Sequence, residues 1–220
     1  MPFGLIFDVD GVIADTEPLS AQATVDAVHH LSGISIPLEA SLEYIGHSTH
    51  THLTGLKKTF GLDIDLDDLR AQCVERFSKL VESGLPLVFP GVLELAANFR
   101  TLPDWVLGVA TSSQGDRCRR TLRAAGLDAE MFAAVLTGDL VTQHKPHPEI
   151  YFSVASQLGV EPDQCVAIED STAGVTAAKA AGMHCIAVTN SFPREQLHAA
   201  DRVVESLEEV DVDLVEALVG

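Results

Sequence analysis

Short apolar runs alternate with longer mixed segments along most of the chain. The first run, residues 3–8 (FGLIFD), ends at an acid and is typical of a buried strand. Further apolar runs predict strands at 106–110, 133–136, 165–168, 184–188 and 202–204. The segments between and after them predict helices at 115–125, 148–158, 171–181 and 208–218. Strands that alternate with helices in this way form a parallel sheet covered on both faces, so the pattern predicts an α/β fold with a doubly wound sheet.

Residues 16–86 interrupt this alternation. They have helical character at 16–35 and again at 37–82, and they contain no convincing strand. Breaks are expected at three glycines, Gly46, Gly55 and Gly61. The sequence therefore predicts two domains: a core of residues 1–15 and 87–220 that contains the sheet, and a helical domain of residues 16–86 inserted after the first strand.

The composition is that of a folded protein that avoids polyanions. Of the 220 residues, 46% are hydrophobic and 21% are charged, which excludes a disordered chain. Aspartate and glutamate outnumber lysine and arginine by 32 to 14, and the net charge of -18 repels nucleic-acid phosphates and anionic membranes. We therefore expect neither as a partner. A small phosphorylated metabolite remains compatible, because local cations, amides or a metal can override the net charge.

Three further features favour a cytoplasmic protein. No apolar run approaches the roughly 18–20 residues that a membrane helix requires. The first residues lack the basic segment of a signal peptide and reach aspartates early. The four cysteines form no CxxC pair, which predicts free thiols in a reducing compartment rather than disulfides or a zinc site. We expect a monomer or a weak homo-oligomer.

Polar and charged side chains follow four of the predicted strands. In an open parallel sheet, ligands bind beyond the carboxyl ends of the strands. The residues found there are Asp8 and Asp10 after the first strand, Thr111 and Ser112 after the second, Lys145 beyond the third, and Glu169 and Asp170 after the fourth. The sequence therefore predicts that acids, hydroxyls and a lysine converge at one edge of the sheet.

These residue types suit metal-assisted phosphoryl chemistry. Clustered carboxylates raise one another's pKa, and a divalent cation and a lysine remove that penalty. Oxygen ligands of this kind suit Mg²⁺, which binds through one or two carboxylates, waters and a phosphate. A hydroxyl, a lysine and backbone amides can then hold a phosphoryl group. An ionised aspartate can attack phosphorus to give an aspartyl-phosphate.

Four segments together resemble a known superfamily of enzymes. They are FDVDGVIADTE (7–17), VATSS (109–113), KPHPEIY (145–151) and AIEDSTAGVTAAKAAG (167–182). In this order they look like the four motifs of the haloacid dehalogenase superfamily, and they are most similar to its β-phosphoglucomutase-like phosphatases and mutases. The resemblance covers nearly the whole chain. It implies a Rossmann-like core with an inserted helical cap, Mg²⁺ as cofactor, and hydrolysis of small, sugar-type phosphate monoesters through an aspartyl-phosphate.

The resemblance also implies a role for each residue. Asp8 would be the nucleophile, and Asp10 the general acid and base. Thr111 and the amide of Ser112 would hold the phosphoryl oxygens, and Lys145 would neutralise the charge of Asp8 and of the phosphoryl group. The implied Mg²⁺ ligands are Asp8, the backbone carbonyl of Asp10, Asp170, and Glu169 directly or through a water. The residues implied to contact the substrate are Glu17, Gly46, His47, His50 and Ser113.

Three histidines stand close together in the inserted domain, at His47, His50 and His52. Such a cluster can bind zinc or copper. We favour polar residues of a cap loop, because the corresponding loop of the family reaches over the site and reads the substrate. Contact of His47 or His50 with a second anionic group of the substrate is a hypothesis that rests on position.

Departures from the mutase pattern favour hydrolysis. Ser20 stands where the mutase has a histidine, and Ile45 and Thr49 stand where it has a lysine and an arginine. Gly115 replaces an asparagine-like partner after the second motif, whereas Ser113 is kept. The positive groups that would hold a second phosphate are therefore missing, and a phosphatase is the favoured interpretation.

Two alternative functions stay open beside the phosphatase, and one alternative role stays open for Thr111 and Ser112. Lys57 or Lys58 can restore the grip on a second phosphate, so a phosphosugar mutase is the alternative within the superfamily. A non-enzymatic phospho-acceptor or binding protein is the alternative of another class. Taken alone, Thr111 and Ser112 are also compatible with a simple helix cap.

Overall fold

The computed structural model describes residues 2–44, 49–83 and 88–220. The chain divides into two compact units. We call Met1–Asp15 together with Leu87–Gly220 the sheet unit, and Thr16–Pro86 the helical unit.

The sheet unit contains a parallel sheet with six strands among its described residues. The strands are β1 (Phe3–Phe7), β2 (Trp105–Ala110), β3 (Ala134–Leu136), β4 (Cys165–Glu169), β5 (His184–Val188) and β6 (Arg202–Val204). They lie in the order β3-β2-β1-β4-β5-β6. The strand order reverses between β1 and β4, and such a switch point is where open α/β sheets bind their ligands. The predicted doubly wound α/β fold is confirmed.

The helices follow the strands closely in the sheet unit and fill the helical unit. In chain order they are α1 (Glu17–Ser32), α2 (Leu38–Leu42), α3 (Thr49–Phe60), α4 (Leu66–Glu82), α5 (Val92–Arg100), α6 (Gly115–Ala124), α7 (Glu149–Leu158), α8 (Thr172–Ala180) and α9 (Val212–Val219). None of the helices in the described part of the chain is both long enough and apolar enough to cross a membrane.

The central strand is buried on both faces. Leu5 and Phe7 belong to a hydrophobic cluster that includes Leu122 of α6, whereas Ile6 between them belongs to a second cluster that includes Val154 of α7. Successive side chains of a strand point to opposite faces, so each cluster covers one face of the sheet. This two-sided burial explains why β1 reads as a continuous apolar run.

Two predicted elements of the sheet unit need correction. The sequence interpretation named no helix between residues 91 and 105, yet α5 lies there and buries Val92, Leu95 and Phe99, one face of a helix. The last helix was predicted from residue 208, but α9 begins at Val212. Residues Leu207–Glu209 form a separate short 3-10 turn, because Ser206 caps it through a reciprocal capping box.

Two segments connect the first strand to the rest of the sheet unit. Ala14 forms an isolated antiparallel bridge with Val88, and the amide of Phe89 donates to the carbonyl of Ile13 at 3.1 Å. Residues 84–87 lie outside the described part of the chain.

The helical unit has a core of its own. Helix α1 packs against α4. A buried hydrophobic cluster among its described residues includes Ala27 and Val28 of α1, Leu53 and Leu56 of α3, and Leu69 of α4. Leu53 and Leu56 lie three residues apart in α3, which is the spacing of one helix face.

The predicted break at Gly55 is wrong, because α3 continues through it. A Cβ atom at Gly55 would lie 2.2 Å from the hydroxyl oxygen of Tyr44, so only glycine leaves room for this ring. The Tyr44 ring also stacks on the His52 ring, with 5.1 Å between their centroids. A packing requirement therefore accounts for a glycine that otherwise disfavours a helix.

Candidate active site

The carboxyl ends of the central strands lie at one level. Phe7 at the end of β1 pairs with Val109 of β2 and with Ile168 of β4. The amide of Asp8 donates to the carbonyl of Ile168 at 3.0 Å, which fixes Asp8 beside the end of β4. The strand register therefore brings the residues that follow three different strands to the same edge.

Lys145 joins three of these strand ends. Its ammonium group donates to Asp8 Oδ1 at 2.9 Å, to Glu169 Oε1 at 2.5 Å and to the carbonyl of Ala110 at 2.9 Å. The side chain is only 6% exposed. The neighbouring carboxylates raise the pKa of Lys145 although burial alone would lower it, so the group stays charged. The predicted lysine thus lies between two predicted acids.

Tyr151 contacts both Glu169 and Lys145, and the sequence analysis predicts no role for it. Its hydroxyl donates to Glu169 Oε1 at 2.7 Å, and the Lys145 ammonium lies 5.0 Å from the ring centroid. Burial raises the pKa of Tyr151 well above its ordinary value, so the phenol remains a donor. The signal was present, because Tyr151 closes the KPHPEIY segment on the inner face of α7.

Three carboxylates form a candidate metal centre. Asp8, Glu169 and Asp170 each present one oxygen, and these atoms lie within 4.8 Å of one another. Burial is the main cause that raises the pKa of Asp8 to about 7; Lys145 opposes this rise, while Glu169 and Asp10 add to it. Burial and the charge of Glu169 also raise the pKa of Asp170. A divalent cation would relieve this repulsion, and an all-oxygen set of ligands fits one.

The carboxylate of Asp10 accepts hydrogen bonds from α6 and from the loop before it. Its Oδ1 accepts a hydrogen bond from Arg117 Nη2 at 2.9 Å, and its Oδ2 accepts a short one from the Ser113 hydroxyl. Ser113 was expected to contact the substrate, and it lies on the loop before α6. Arg117 was missed, because no local pattern distinguishes it from the other arginines of α6.

Thr111 and Ser112 follow β2 directly. Thr111 is buried, its amide donates to the carbonyl of Leu136 at 3.0 Å, and its hydroxyl oxygen accepts from the Ser113 amide at 3.1 Å. Ser112 is exposed. The helix-cap alternative is wrong for both residues, because the N-cap of α6 is Gln114.

A loop after β5 completes the edge and was also missed. Asn190 donates from Nδ2 to the carbonyl of Gly11 at 2.8 Å, and the Ser191 hydroxyl donates to Asp170 Oδ2 in a short hydrogen bond. Gly11 has φ +82°, and a Cβ atom there would lie 1.8 Å from Asp170 Oδ2. The bend after Asp10 therefore requires glycine, and the β5 loop positions both sides of it.

A family model described as haloacid dehalogenase-like hydrolase matches residues 5–188. The chain belongs to this family. Its matched segment begins within β1 and ends with β5, so it includes the residues that follow β1, β2, β3 and β4 but not Asn190 and Ser191.

Three proteins similar to this haloacid dehalogenase-like hydrolase illustrate the family. SUPPRESSOR OF QUENCHING 1 of Arabidopsis thaliana is 37% identical over 195 residues, which are 86% of this chain but only 18% of that protein. Fructose-1-phosphate phosphatase YqaB of Escherichia coli (strain K12) is 33% identical over 84% of this chain and 95% of its own. The structure of CbbY from Rhodobacter sphaeroides in complex with phosphate superposes with a TM-score of 0.84 and 28% identity, covering 98% and 100% of the two chains.

The remaining residues predicted to bind substrate in this hydrolase belong to the helical unit. Glu17 is the first residue of α1, and His50 is exposed in the first turn of α3 rather than in a loop. Gly46 and His47 lie outside the described residues. His52 is half-buried, and its Nε2 lies 2.9 Å from the Ser41 hydroxyl, which gives it a packing role inside the helical unit.

Lys57 is engaged inside the same unit. Its ammonium group donates a short hydrogen bond to the carbonyl of Ile64. Lys58 is exposed on α3. Of the two lysines considered for a second phosphate, Lys57 therefore already serves as an internal contact of the helical unit.

Proposed function

We propose that this chain is a Mg²⁺-dependent phosphatase that hydrolyses small, sugar-type phosphate monoesters through an aspartyl-phosphate at Asp8. The observation that carries the proposal is the ammonium group of Lys145, which donates to both Asp8 and Glu169. A buried ammonium shared in this way holds a nucleophilic carboxylate beside a metal-ligating one. It also offsets the negative charge of an incoming phosphoryl group.

In the first half-reaction, a carboxylate oxygen of Asp8 attacks phosphorus and forms the new P–O bond. The ester P–O bond breaks, and Asp10 donates a proton to the departing alkoxide oxygen. The hydroxyl of Thr111 already accepts from the Ser113 amide, so its own O–H is directed to another acceptor, for which a phosphoryl oxygen is suited. The Ser112 amide supplies a second donor.

In the second half-reaction, a water oxygen attacks the phosphorus of the aspartyl-phosphate. Asp10, now a carboxylate, accepts the proton of this water. The bond between phosphorus and the Asp8 oxygen breaks, inorganic phosphate leaves, and Asp8 is again a carboxylate beside Lys145. Both half-reactions therefore need Asp10 at a defined position.

The residues that would hold Mg²⁺ are Asp8, the backbone carbonyl of Asp10, Glu169 and Asp170. The fit rests on three carboxylate oxygens within 4.8 Å and on their buried, mutually repelling charges. When bound, the cation supplies charge neutralisation at the phosphoryl oxygens. The Ser191 hydroxyl and the Tyr151 phenol orient two of its carboxylates, Asp170 and Glu169.

The proposed substrate class is a small phosphorylated sugar. Two relatives support it: the similar Escherichia coli protein is a fructose-1-phosphate phosphatase, and the similar CbbY structure contains phosphate. The helical unit would serve as the cap that selects the sugar, through Glu17, Gly46, His47 and His50. A cytoplasmic location and a monomeric or weakly oligomeric state stay predictions.

Phosphate release from a panel of monoesters tests the proposal. The panel contains fructose 1-phosphate, other sugar phosphates, 2-phosphoglycolate and a nucleotide, each with Mg²⁺ and with EDTA. We expect release from sugar phosphates that EDTA abolishes. Asp8→Asn keeps the shape of the side chain and should abolish turnover, whereas Asp104→Asn, an exposed change before β2, should leave it unchanged. Turnover by Asp8→Asn would refute the covalent route.

Two other results would replace the proposal. Conversion of β-glucose 1-phosphate to the 6-phosphate without release of phosphate would favour a phosphosugar mutase. Absence of release from every member of the panel, combined with Mg²⁺-dependent binding of phosphate, would favour a binding protein.

A further inference from the structure

Asp10 is fixed from the side of helix α6 by two donors. Arg117 Nη2 donates to Oδ1 at 2.9 Å, and the Ser113 hydroxyl donates to Oδ2. The two side chains of the ion pair are partly buried, with 27% of Arg117 and 22% of Asp10 exposed. Each oxygen of this carboxylate therefore has its own anchor outside the carboxylate cluster of Asp8, Glu169 and Asp170.

Two separate donors restrict a carboxylate more than one does. A carboxylate held through a single oxygen can rotate about its χ2 angle, whose energy profile is broad. A second donor on the other oxygen fixes the plane of the group. Arginine suits this task, because its planar guanidinium keeps its N–H groups in a fixed geometry and stays charged.

Asp10 and its anchor belong to different elements of the sheet unit. Asp10 lies in the short segment between β1 and the bend at Gly11, whose φ is +82°. Arg117 lies in the first turn of α6, which is itself tied down where the Gly115 amide donates to Asp139 at 2.9 Å. A rigid helix thus holds a side chain that belongs to a tight loop.

We propose that Arg117 is a positioning residue, which orients the Asp10 carboxylate for proton transfer and acts on the reaction only through Asp10. The inference rests on the proposed function, in which Asp10 gives a proton to the leaving oxygen and takes one from water. In this proposal Arg117 affects the reaction through its hydrogen bond to Asp10 and not through a contact with the substrate.

Two other roles for Arg117 make different predictions. An arginine that binds the substrate directly would raise KM when removed, and it would do so whatever residue stands at position 10. An ion pair that serves only stability would act through unfolding, but pairs with this much exposure contribute little to stability. A positioning role lowers kcat, leaves KM nearly unchanged and requires the Asp10 carboxylate.

Steady-state kinetics of two Arg117 variants and one control variant separate these roles. Arg117→Ala should lower kcat about 10-fold to 100-fold, the effect of a misplaced catalytic group, with KM changed by less than about twofold. Arg117→Lys keeps a donor and a charge and should recover part of kcat. Arg119→Ala, on the same helix with an exposed partner in Asp116, is the matched control and should behave as wild type.

The decisive comparison uses the Asp10→Asn background at high enzyme concentration. Adding Arg117→Ala to Asp10→Asn should change the residual kcat by less than about twofold, because the group that Arg117 orients is already disabled. A further loss as large as in the wild-type background would overturn the proposal, and so would a rise in KM as the main effect.

A measurement without substrate keeps this inference separate from the proposed function. In arginine side-chain ¹⁵N NMR of the whole chain, Arg117→Lys identifies the Arg117 resonance. We expect that Asp10→Asn shifts this resonance and that Asp116→Asn leaves it in place. If the wild type releases no phosphate from any ester, the proposed function fails. If Asp10→Asn leaves the chemical shift of the Arg117 resonance unchanged, the proposed contact between Arg117 and Asp10 is refuted, whether or not the protein is active.

Discussion

Removing Mg²⁺ should make the stability of the sheet unit depend on pH in an unusual direction. Asp8 and Asp170 are buried close to Glu169, and burial raises the pKa of both aspartates. Their neutral forms are therefore favoured in the folded state without a cation. Most surface carboxylates behave in the opposite way, because folding favours their charged form.

The magnitude follows from Asp8, whose pKa rises from an ordinary 3.8 to about 7. Between these pH values the folded chain binds a proton that the unfolded chain lacks. The stabilisation is complete below pH 3.8 and is lost as the pH rises to about 7. At about 1.4 kcal/mol per pH unit, the whole change is about 4 kcal/mol, and about 2 kcal/mol of it falls between pH 5.5 and pH 7.5.

Trp105 offers a direct assay. It is the only tryptophan of the chain, it is buried in β2, and its ring centroid lies 4.7 Å from that of Phe99. Its fluorescence during urea unfolding therefore reports on the sheet unit. In EDTA, the free energy of unfolding should fall by about 2 kcal/mol more in wild type than in Asp8→Asn between pH 5.5 and pH 7.5.

Saturating Mg²⁺ should remove or reverse this fall, because the cation binds the deprotonated carboxylates. Asp8→Asn is the matched control, since it keeps the shape of the side chain and cannot titrate. An equal fall in wild type and Asp8→Asn would refute the assignment of the effect to Asp8. A fall that Mg²⁺ does not change would refute the metal centre.

Three substitutions test the supports of the site. Lys145→Met leaves buried carboxylates without their ammonium partner and should lower the metal-free stability of the sheet unit by about 3–5 kcal/mol in urea unfolding. Gly11→Ala places a Cβ atom 1.8 Å from Asp170 Oδ2 and should abolish Mg²⁺ binding in calorimetry. Ser191→Ala removes a donor to Asp170 and should weaken Mg²⁺ binding about 10-fold to 100-fold in the same assay.

Matched changes elsewhere give the baseline. Lys179→Met breaks a half-exposed pair with Asp201 and should lower stability by about 1 kcal/mol or less. Gly33→Ala, at φ +71° with no atom within 4 Å of the new Cβ, adds only backbone strain and should leave Mg²⁺ binding unchanged. Equal effects of test and control variants would contradict the role given to the tested residue.

The sequence predicts the strands and their reactive ends well for a physical reason. A strand buried on both faces needs consecutive apolar residues, so a charged residue directly after such a run marks where the strand ends. In β1, Gly4–Phe7 are buried, and Asp8, itself only 7% exposed, follows them. The edge at which Lys145 meets Asp8 then follows from the parallel direction of the strands.

The missed contacts are those that join distant segments. Arg117 lies 107 residues from Asp10, and Ser191 lies 21 residues from Asp170, so neither pairing leaves a local pattern. Helix α5 is a different case, because Val92, Leu95 and Phe99 do follow helical spacing. That helical pattern is short, since α5 has only 9 residues and begins directly after Pro90 and Gly91.

The charge of the site also resolves an apparent conflict with the charge of the chain. A net charge of -18 repels phosphate esters at a distance, yet the proposed substrate carries phosphate. Four carboxylates lie at the strand ends, and Lys145 and Arg117 set two positive charges against them. A divalent cation would supply two more and balance the four carboxylates. Under the proposed function, we therefore expect Mg²⁺ to raise the affinity for a phosphate ester as well as the turnover.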